Sequence, residues 1–168
     1  KDHQLWKTTD GGASFTLLHS FGDNPNSKVF HIEISRRNPQ VMYVAQAFSG
    51  SSGRLWKTTD GGANWSQLVL PPANSRLIQL ALNPLNDNEL WIGYVNGVDG
   101  KKVYKTADGG AAWTNLSTPA LNGERVHNIV HIGGADGSIY VFTDKTVYYR
   151  NNAMADWIPV NEGLPEFI

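Results

Sequence analysis

Several features that would point to a particular chemistry are missing from this sequence. None of its 168 residues is cysteine, which excludes a disulfide framework and any metal site built on thiolates. No apolar run approaches the ~20 residues that a bilayer-spanning helix needs, so we expect no membrane span. With 14 basic and 15 acidic residues, the net charge of −1 gives no field that favours a nucleic acid. No glycine-rich phosphate loop leads from a strand into a helix, and we expect no cofactor.

Glycine and tryptophan, in contrast, are frequent, with 17 and 6 copies, as the tight turns and aromatic packing of all-β repeat folds require. One eight-residue pattern occurs three times, as TTDGGASF at 8–15, TTDGGANW at 58–65 and TADGGAAW at 106–113. Each copy has a hydroxyl first, a carboxylate two residues on, a glycine four on and a large aromatic seven on. Hydroxyl and carboxylate groups bond the amides of a turn, and glycine adopts positive φ without a steric penalty. The pattern therefore predicts a tight turn between two strands.

The pattern resembles the Asp-box, or BNR repeat, whose form is Ser/Thr-x-Asp-x-Gly-x-x-Trp/Phe. All four slots are filled in each copy, by Thr8, Asp10, Gly12 and Phe15, by Thr58, Asp60, Gly62 and Trp65, and by Thr106, Asp108, Gly110 and Trp113. The resemblance extends to sialidases, sortilin-like receptors, xyloglucanase-type glycoside hydrolases and photosystem assembly factors. It implies that each box is the turn between the third and fourth strands of a β-propeller blade, a structural turn away from the catalytic face.

A shift of 48 residues lays the second repeat on the third without a gap, and that period is near the length of a four-stranded propeller blade. We therefore predict an all-β fold made of propeller blades, each with four antiparallel strands. The predicted units are a half-blade at 1–20 and blades at 28–71, 76–119 and 125–161. These about three and a half blades make a single partial propeller over residues 1–168, which we interpret as a fragment of a larger one.

The fourth blade carries a degenerate box. Arg150, Asn152 and Met154 stand where the hydroxyl, the carboxylate and the glycine belong, and Trp157 alone keeps its slot. Because the array starts at a third strand and ends at a new first strand, we expect both ends to be open and to recruit further blades. Those blades belong to a parent polypeptide or to another chain.

Propeller geometry sorts the loops into two faces. The boxes share one face with the turns between first and second strands, and the ligands of the resembling families bind on the opposite face. The candidates for ligand binding on that opposite face are Asp23, Asn96, Lys101 and Arg125. Asp99 and Glu124, on successive loops of adjacent blades, are candidates for the two carboxylates, ~5–9.5 Å apart, that glycoside hydrolysis uses. No flanking motif singles out any of these six residues, so we assign no catalytic residue. The alternative interpretation is that all six are ordinary solvent-exposed loop residues.

His127 and His131 are four residues apart, which on a helix is a metal-ligand spacing. On a strand the same spacing separates them by ~13 Å, too far to share one ion, so we predict no metal site there. The box aspartates lack the alternating acids of an EF-hand loop, and their role in the turn accounts for them without calcium.

We interpret the chain as a non-catalytic scaffold or binding segment of a bacterial secreted or cell-surface propeller protein, with a polysaccharide or a protein as ligand. One alternative is a fragment of an enzyme that resembles the xyloglucanases. A second alternative is a sortilin-like peptide-binding receptor. That second resemblance implies a cysteine-rich module after the propeller, and this chain has no cysteine with which to begin one.

Overall fold

The fold was obtained as a computed structural model, which describes residues 3–22, 26–48, 51–72 and 77–160. Within these ranges the chain forms fourteen strands and a single turn of 3-10 helix, Pro119–Leu121. Three of the sheets have four strands and one has two.

The sheets follow one another along the chain. The half-blade consists of β1 (Gln4–Lys7) and β2 (Thr16–Ser20). Blade 2 consists of β3 (Ser27–Ile34), β4 (Met42–Phe48), β5 (Ser51–Thr58) and β6 (Ser66–Leu68). Blade 3 consists of β7 (Leu77–Leu82), β8 (Leu90–Tyr94), β9 (Val103–Thr106) and β10 (Thr114–Asn115). Blade 4 consists of β11 (Val126–His131), β12 (Ile139–Thr143), β13 (Val147–Arg150) and β14 (Ile158–Pro159).

Strands that follow one another within a sheet pair antiparallel, so each four-stranded sheet is a meander. Consecutive sheets pack face to face: β7 contacts β3, β4 and β5 of blade 2, and β11 contacts β7 and β8 of blade 3. The prediction of an all-β fragment of a propeller, built from four-stranded antiparallel blades, is confirmed. The exact residues at which each blade begins and ends remain a prediction.

The hydrophobic core lies between the blades. Strand β8 shows why, because alternate side chains of a strand point to opposite faces. Leu90 and Ile92 belong to the cluster against blade 2, whereas Trp91 belongs to the cluster against blade 4. Every residue of β8 is buried, as expected for a strand covered on both faces. The blades are therefore held by the apolar joints between them.

Each of the three intact boxes forms the same turn. In the second box, Thr58 Oγ1 donates to Asp60 Oδ1 at 2.7 Å and accepts from the Gly62 amide at 3.0 Å. The Asn64 amide donates to the same Asp60 oxygen at 2.9 Å. Hydrogen bonds from the Asn64 amide, the Asn64 side chain and Thr58 lower the pKa of Asp60 to about 2, because each of them favours the ionised carboxylate. The first and third boxes repeat the threonine–aspartate bond at 2.7 Å and the glycine bond at 2.9 Å.

The second glycine of a box also receives a side chain from the preceding blade. Gly62 has φ +95°, and a Cβ built on it would lie 2.9 Å from Leu18 Cδ2 in β2. Gly110 has φ +100°, and its Cβ would lie 2.5 Å from Leu68 Cδ1 in β6. We call each such glycine a socket and each such leucine a knob. The joint between blades therefore needs glycine for its backbone conformation and for the space it leaves.

The degenerate fourth box keeps only part of this arrangement. Trp157 Nε1 still donates to Leu116 O of blade 3 at 2.7 Å, just as Trp113 Nε1 donates to Val69 O of blade 2 at 3.0 Å. Among the described residues only glycines have positive φ, so Met154 does not reproduce the socket. The aromatic residue of the box thus joins two blades even where the rest of the motif is lost.

We expect Gly62→Val to destabilise the protein by roughly 1–3 kcal/mol, because a branched side chain is strained at positive φ and its Cβ would meet Leu18. Gly12→Val is the matched control, because Gly12 also has a positive φ, +97°, but an added Cβ would approach only Phe15, at 3.9 Å. In this variant the backbone strain acts without a clash, so the loss of stability should be smaller. Denaturant unfolding of both variants measures the difference. Equal losses would show that the contact with Leu18 contributes nothing.

Candidate functional site

The two candidate carboxylates lie on the face opposite the boxes, which we call the loop face. It is formed by the loop before β9 (95–102) and by the connection from blade 3 to blade 4 (116–125). Asp99 Oδ1 lies 2.7 Å from the ammonium nitrogen of Lys102 and accepts from the Gly123 amide at 2.9 Å. The structure therefore places Asp99 in an ion pair at the joint between blades 3 and 4.

Lys102 is the central residue of this cluster. Its side chain is only 2% exposed, and its ammonium group also donates to the backbone oxygens of Leu121 at 2.6 Å and Glu124 at 2.5 Å. A buried ammonium group needs such partners, because its desolvation is otherwise costly. Lys102 thus fastens blade 3 to the connection that leads into blade 4.

Glu124 is buried and has both carboxylate oxygens engaged. Oε1 lies 3.0 Å from the Lys145 ammonium group, and Oε2 accepts from Thr143 Oγ1 at 2.9 Å. The hydrogen bond and the charge of Glu124 raise the pKa of Lys145. The hydrogen bond from Lys102 lowers the pKa of Asp99, assisted by the Gly123 amide. The cluster is therefore a network in which each carboxylate is paired with a lysine.

The other candidates on this face are distributed around the cluster. Asn96, Lys101 and Arg125 are exposed on the loops that carry Asp99 and Glu124. Asp23 lies outside the described residues. The residue that sequence reasoning missed is Lys102. The sequence does carry one signal for this position. The 48-residue shift pairs Lys102 with Arg54, so a cationic side chain occurs at the same position in two successive repeats.

The first strands of blades 2, 3 and 4 line a second polar region, a cavity of about 350 Å³ on the inner side of the array. His31 Nδ1 lies 2.9 Å from Gln79 Oε1 in the next blade, and His31 Nε2 lies 3.5 Å from Glu33 Oε1. The hydrogen bond with Glu33 is the main reason that the pKa of His31 is raised, against the opposing effect of burial. Arg36 and His131 also line this cavity.

The two histidines of the last inner strand have separate partners. His127 Nε2 contacts Asp144 Oδ1, whereas His131 Nδ1 lies 2.7 Å from Ser138 O. His131 stacks on Trp91 with the ring centroids 4.7 Å apart, and its Nε2 is buried without a hydrogen-bond partner among the described residues. The structure therefore does not bring these two side chains onto a common ligand.

Across the part of the chain that the structure describes, no helix is long and apolar enough to cross a membrane.

The sequence profile of one protein family, Sortilin-Vps10, described as sortilin, neurotensin receptor 3, matches residues 3–127, which is most of the chain. The chain belongs to the Sortilin-Vps10 family. No curated protein sequence matches this Sortilin-Vps10 chain at a significant level.

Solved structures resemble this Sortilin-Vps10 chain along most of its length. The GH74 enzyme of Niastella koreensis has a TM-score of 0.67 and 22% identity, over 90% of this chain and 26% of its own. The GH74 xyloglucanase of Xanthomonas campestris has a TM-score of 0.61 and 17% identity, over 82% and 24%. YCF48 bound to D1 peptide has a TM-score of 0.56 and 22% identity, over 80% and 40%.

At these identities the likeness concerns the fold. The Sortilin-Vps10 chain spans 26%, 24% and 40% of the length of these three structures. It corresponds to a fragment of a larger propeller, as predicted from the repeats.

We expect Glu33→Gln to lower the pKa of His31 towards its ordinary value of 6.5, because the charge-assisted hydrogen bond is lost. NMR titration of the imidazole measures the pKa, with Glu89→Gln, directly before β8, as the control that leaves it unchanged. His31 stabilises the wild type below pH 6.5, and this contribution disappears as the pH rises through the raised pKa of the folded protein. A wild-type pKa at or below 6.5 would contradict the assignment.

Proposed function

We propose that this chain is a non-catalytic scaffold segment of a larger propeller, and that its loop face binds a polypeptide. The observation that carries the proposal is the pairing of both candidate carboxylates with lysines, Asp99 with Lys102 and Glu124 with Lys145. Asp99 holds the connection between blades 3 and 4, and Glu124 holds the loop between β12 and β13, so both carboxylates have structural partners.

The requirements of glycoside hydrolysis can be compared with the environments of these two carboxylates. The reaction needs one carboxylic acid that holds a proton near neutral pH and a second carboxylate that faces the sugar. The pKa of Asp99 is lowered instead, so its proton is lost well before neutral pH. Glu124 has both oxygens bound, to Lys145 and Thr143, and neither is free for a glycosidic oxygen. The pair therefore fits a structural role better than an acid–base role.

The exposed groups of the loop face favour a polypeptide over a polysaccharide. Sugar rings pack on exposed aromatic faces, but the two loops that form this face, 95–102 and 116–125, contain no aromatic residue, and Tyr94 at the start of the first loop is 2% exposed. The exposed side chains of Lys101 and Arg125 offer hydrogen-bond donors that suit backbone carbonyls and carboxylates. The peptide bound to YCF48, and the description of the matched family as a neurotensin receptor, support the same class of ligand.

A fragment of a xyloglucanase-like hydrolase is the second candidate function. The two GH74 structures favour it, because they resemble the chain over 90% and 82% of its length. In that case the catalytic carboxylates lie in blades outside this chain, since Asp99 and Glu124 are engaged.

We also propose that the parent protein is secreted or displayed on a bacterial cell surface. The support is the resemblance of the boxes to those of sortilin-like receptors and xyloglucanase-type hydrolases. Fractionation of producing cells tests the proposal, and recovery of the parent protein in the cytoplasm alone would contradict it.

We expect a peptide selected on the wild-type chain from a random phage-displayed library to bind Lys101→Glu and Arg125→Glu at least about tenfold more weakly, because each change opposes the charge of the binding face. Arg36→Glu makes the same change of charge in the turn between β3 and β4, at the end of blade 2 opposite the loop face, and its affinity should equal that of the wild type. Fluorescence anisotropy with the labelled peptide measures the affinities of the wild type and of the three variants. Equal weakening by Arg36→Glu, or no selectable peptide, would contradict a site on the loop face.

We further expect the wild-type chain to release no reducing sugar from xyloglucan or β-glucan, and Asp99→Asn to leave this unchanged, because Asp99 is held by Lys102. Circular dichroism before and after the assay confirms that both proteins stay folded. Hydrolysis by the wild type that Asp99→Asn abolishes would establish the enzyme function in this chain and refute the proposal.

A further inference from the structure

The joint between blades 3 and 4 is packed differently from the joint between blades 2 and 3. At the joint between blades 2 and 3, Leu68 packs against the socket at Gly110. Leu116 holds the same place in blade 3, three residues after the box tryptophan, but the degenerate box has Met154 instead of the glycine. The aliphatic side chain at the knob position of blade 3 therefore has no socket to enter.

A cavity of about 260 Å³ lies at this joint. Leu116 and Lys105 line it from blade 3, and Ile139, Arg150 and Asn152 line it from blade 4. Leu116 and Ile139 belong to the apolar packing between the two blades, whereas Asn152 is exposed to solvent. Because both blades are sheets of four strands, the cavity lies within the array and not at either end of it.

Two cationic side chains line the cavity, and no acidic residue of the described chain does. Lys105 already has a counterion, because its ammonium nitrogen lies 2.5 Å from Glu89 Oε1. It also donates to Asn152 Oδ1 at 2.8 Å, across the joint. The charge that remains uncompensated at the cavity is therefore that of Arg150.

Arg150 stands where the intact boxes have their threonine. Within the described structure its guanidinium group makes one hydrogen bond, from Nη1 to Leu116 O at 3.3 Å, and no ion pair. The group lies over the Trp157 ring, 5.9 Å from the ring centroid. Asp156, on the same turn, is engaged with the hydroxyl group of Thr118. Since a guanidinium group carries five N–H donors, most donors of this half-buried side chain are available to a ligand.

We propose that this cavity is a binding site for a small oxyanion, a molecule with a carboxylate or phosphate group, held by the Arg150 guanidinium group. The N–H pairs of a guanidinium group match two oxygens of either anion. Asn152 Nδ2 adds a donor, since it has no partner among the described residues. The volume lies below the ~300–1,000 Å³ of pockets that hold drug-sized ligands, which restricts the site to smaller molecules. The site lies at the degenerate box and is independent of the polypeptide proposed for the loop face.

NMR titration of the isotope-labelled chain with inorganic phosphate and, separately, with acetate tests the site. We expect saturable shifts of the Arg150 Nε–H and Asn152 amide signals with a millimolar dissociation constant, while sodium chloride at equal ionic strength produces none. Saturation by phosphate alone assigns a phosphate ligand, saturation by acetate alone assigns a carboxylate ligand, and saturation by both assigns a site that accepts either oxyanion. Absence of saturable binding with both anions would overturn the proposal.

Asn152→Asp restores the aspartate of the intact boxes and places a negative charge at the cavity, whereas Arg150→Gln removes the partner of the anion. We expect each variant to bind at least about tenfold more weakly than the wild type. Arg36→Gln is the matched control, because it removes the same positive charge in the turn between β3 and β4, and it should bind like the wild type.

Circular dichroism establishes that each variant is folded. Arg150→Lys, which keeps the charge but cannot bind two oxygens side by side, replaces Arg150→Gln if that variant is not folded, and it should show a smaller loss of affinity. Unchanged affinity in Asn152→Asp, or equal weakening by Arg36→Gln, would also overturn the proposal.

Discussion

The hydrogen bond between a threonine hydroxyl and an aspartate carboxylate is the interaction on which the rest of this structure depends. Because Thr58 Oγ1 both donates to Asp60 and accepts from the Gly62 amide, one atom fixes both sides of the turn. The glycine is then held at positive φ with its open side towards the preceding blade, where Leu18 packs. A local bond between residues two apart thereby determines how neighbouring sheets meet.

The joint between blades 3 and 4 is fastened at both edges of the sheet. On the box face, Trp157 donates to the backbone of blade 3. On the loop face, the Lys102 ammonium group connects Asp99 with the carbonyl groups of Leu121 and Glu124. The fixed positions of these groups give the exposed side chains around them a rigid base, which suits the proposed binding to this face.

The parts of the structure that the sequence predicted are those that local residues determine. The box turns follow from bonds between residues two and four apart, and the blades follow from a 48-residue period that is visible without coordinates. Lys102 escaped prediction because two of its partners are backbone oxygens about twenty residues away, and a backbone oxygen has no signature in the sequence. The packing of Leu18 on Gly62 escaped for a similar reason, since only the folded sheets bring them together.

The position of knob and socket within one repeat has an evolutionary consequence. Each unit carries its own glycine and, six residues later, its own aliphatic residue, as in Gly62 and Leu68. Tandem duplication of one unit in the gene would therefore create a new joint that is complementary from the start, without a compensating mutation in either neighbour. Arrays of this kind can gain or lose whole blades in single genetic events, while the residues that hold adjacent blades together are inherited with each copy.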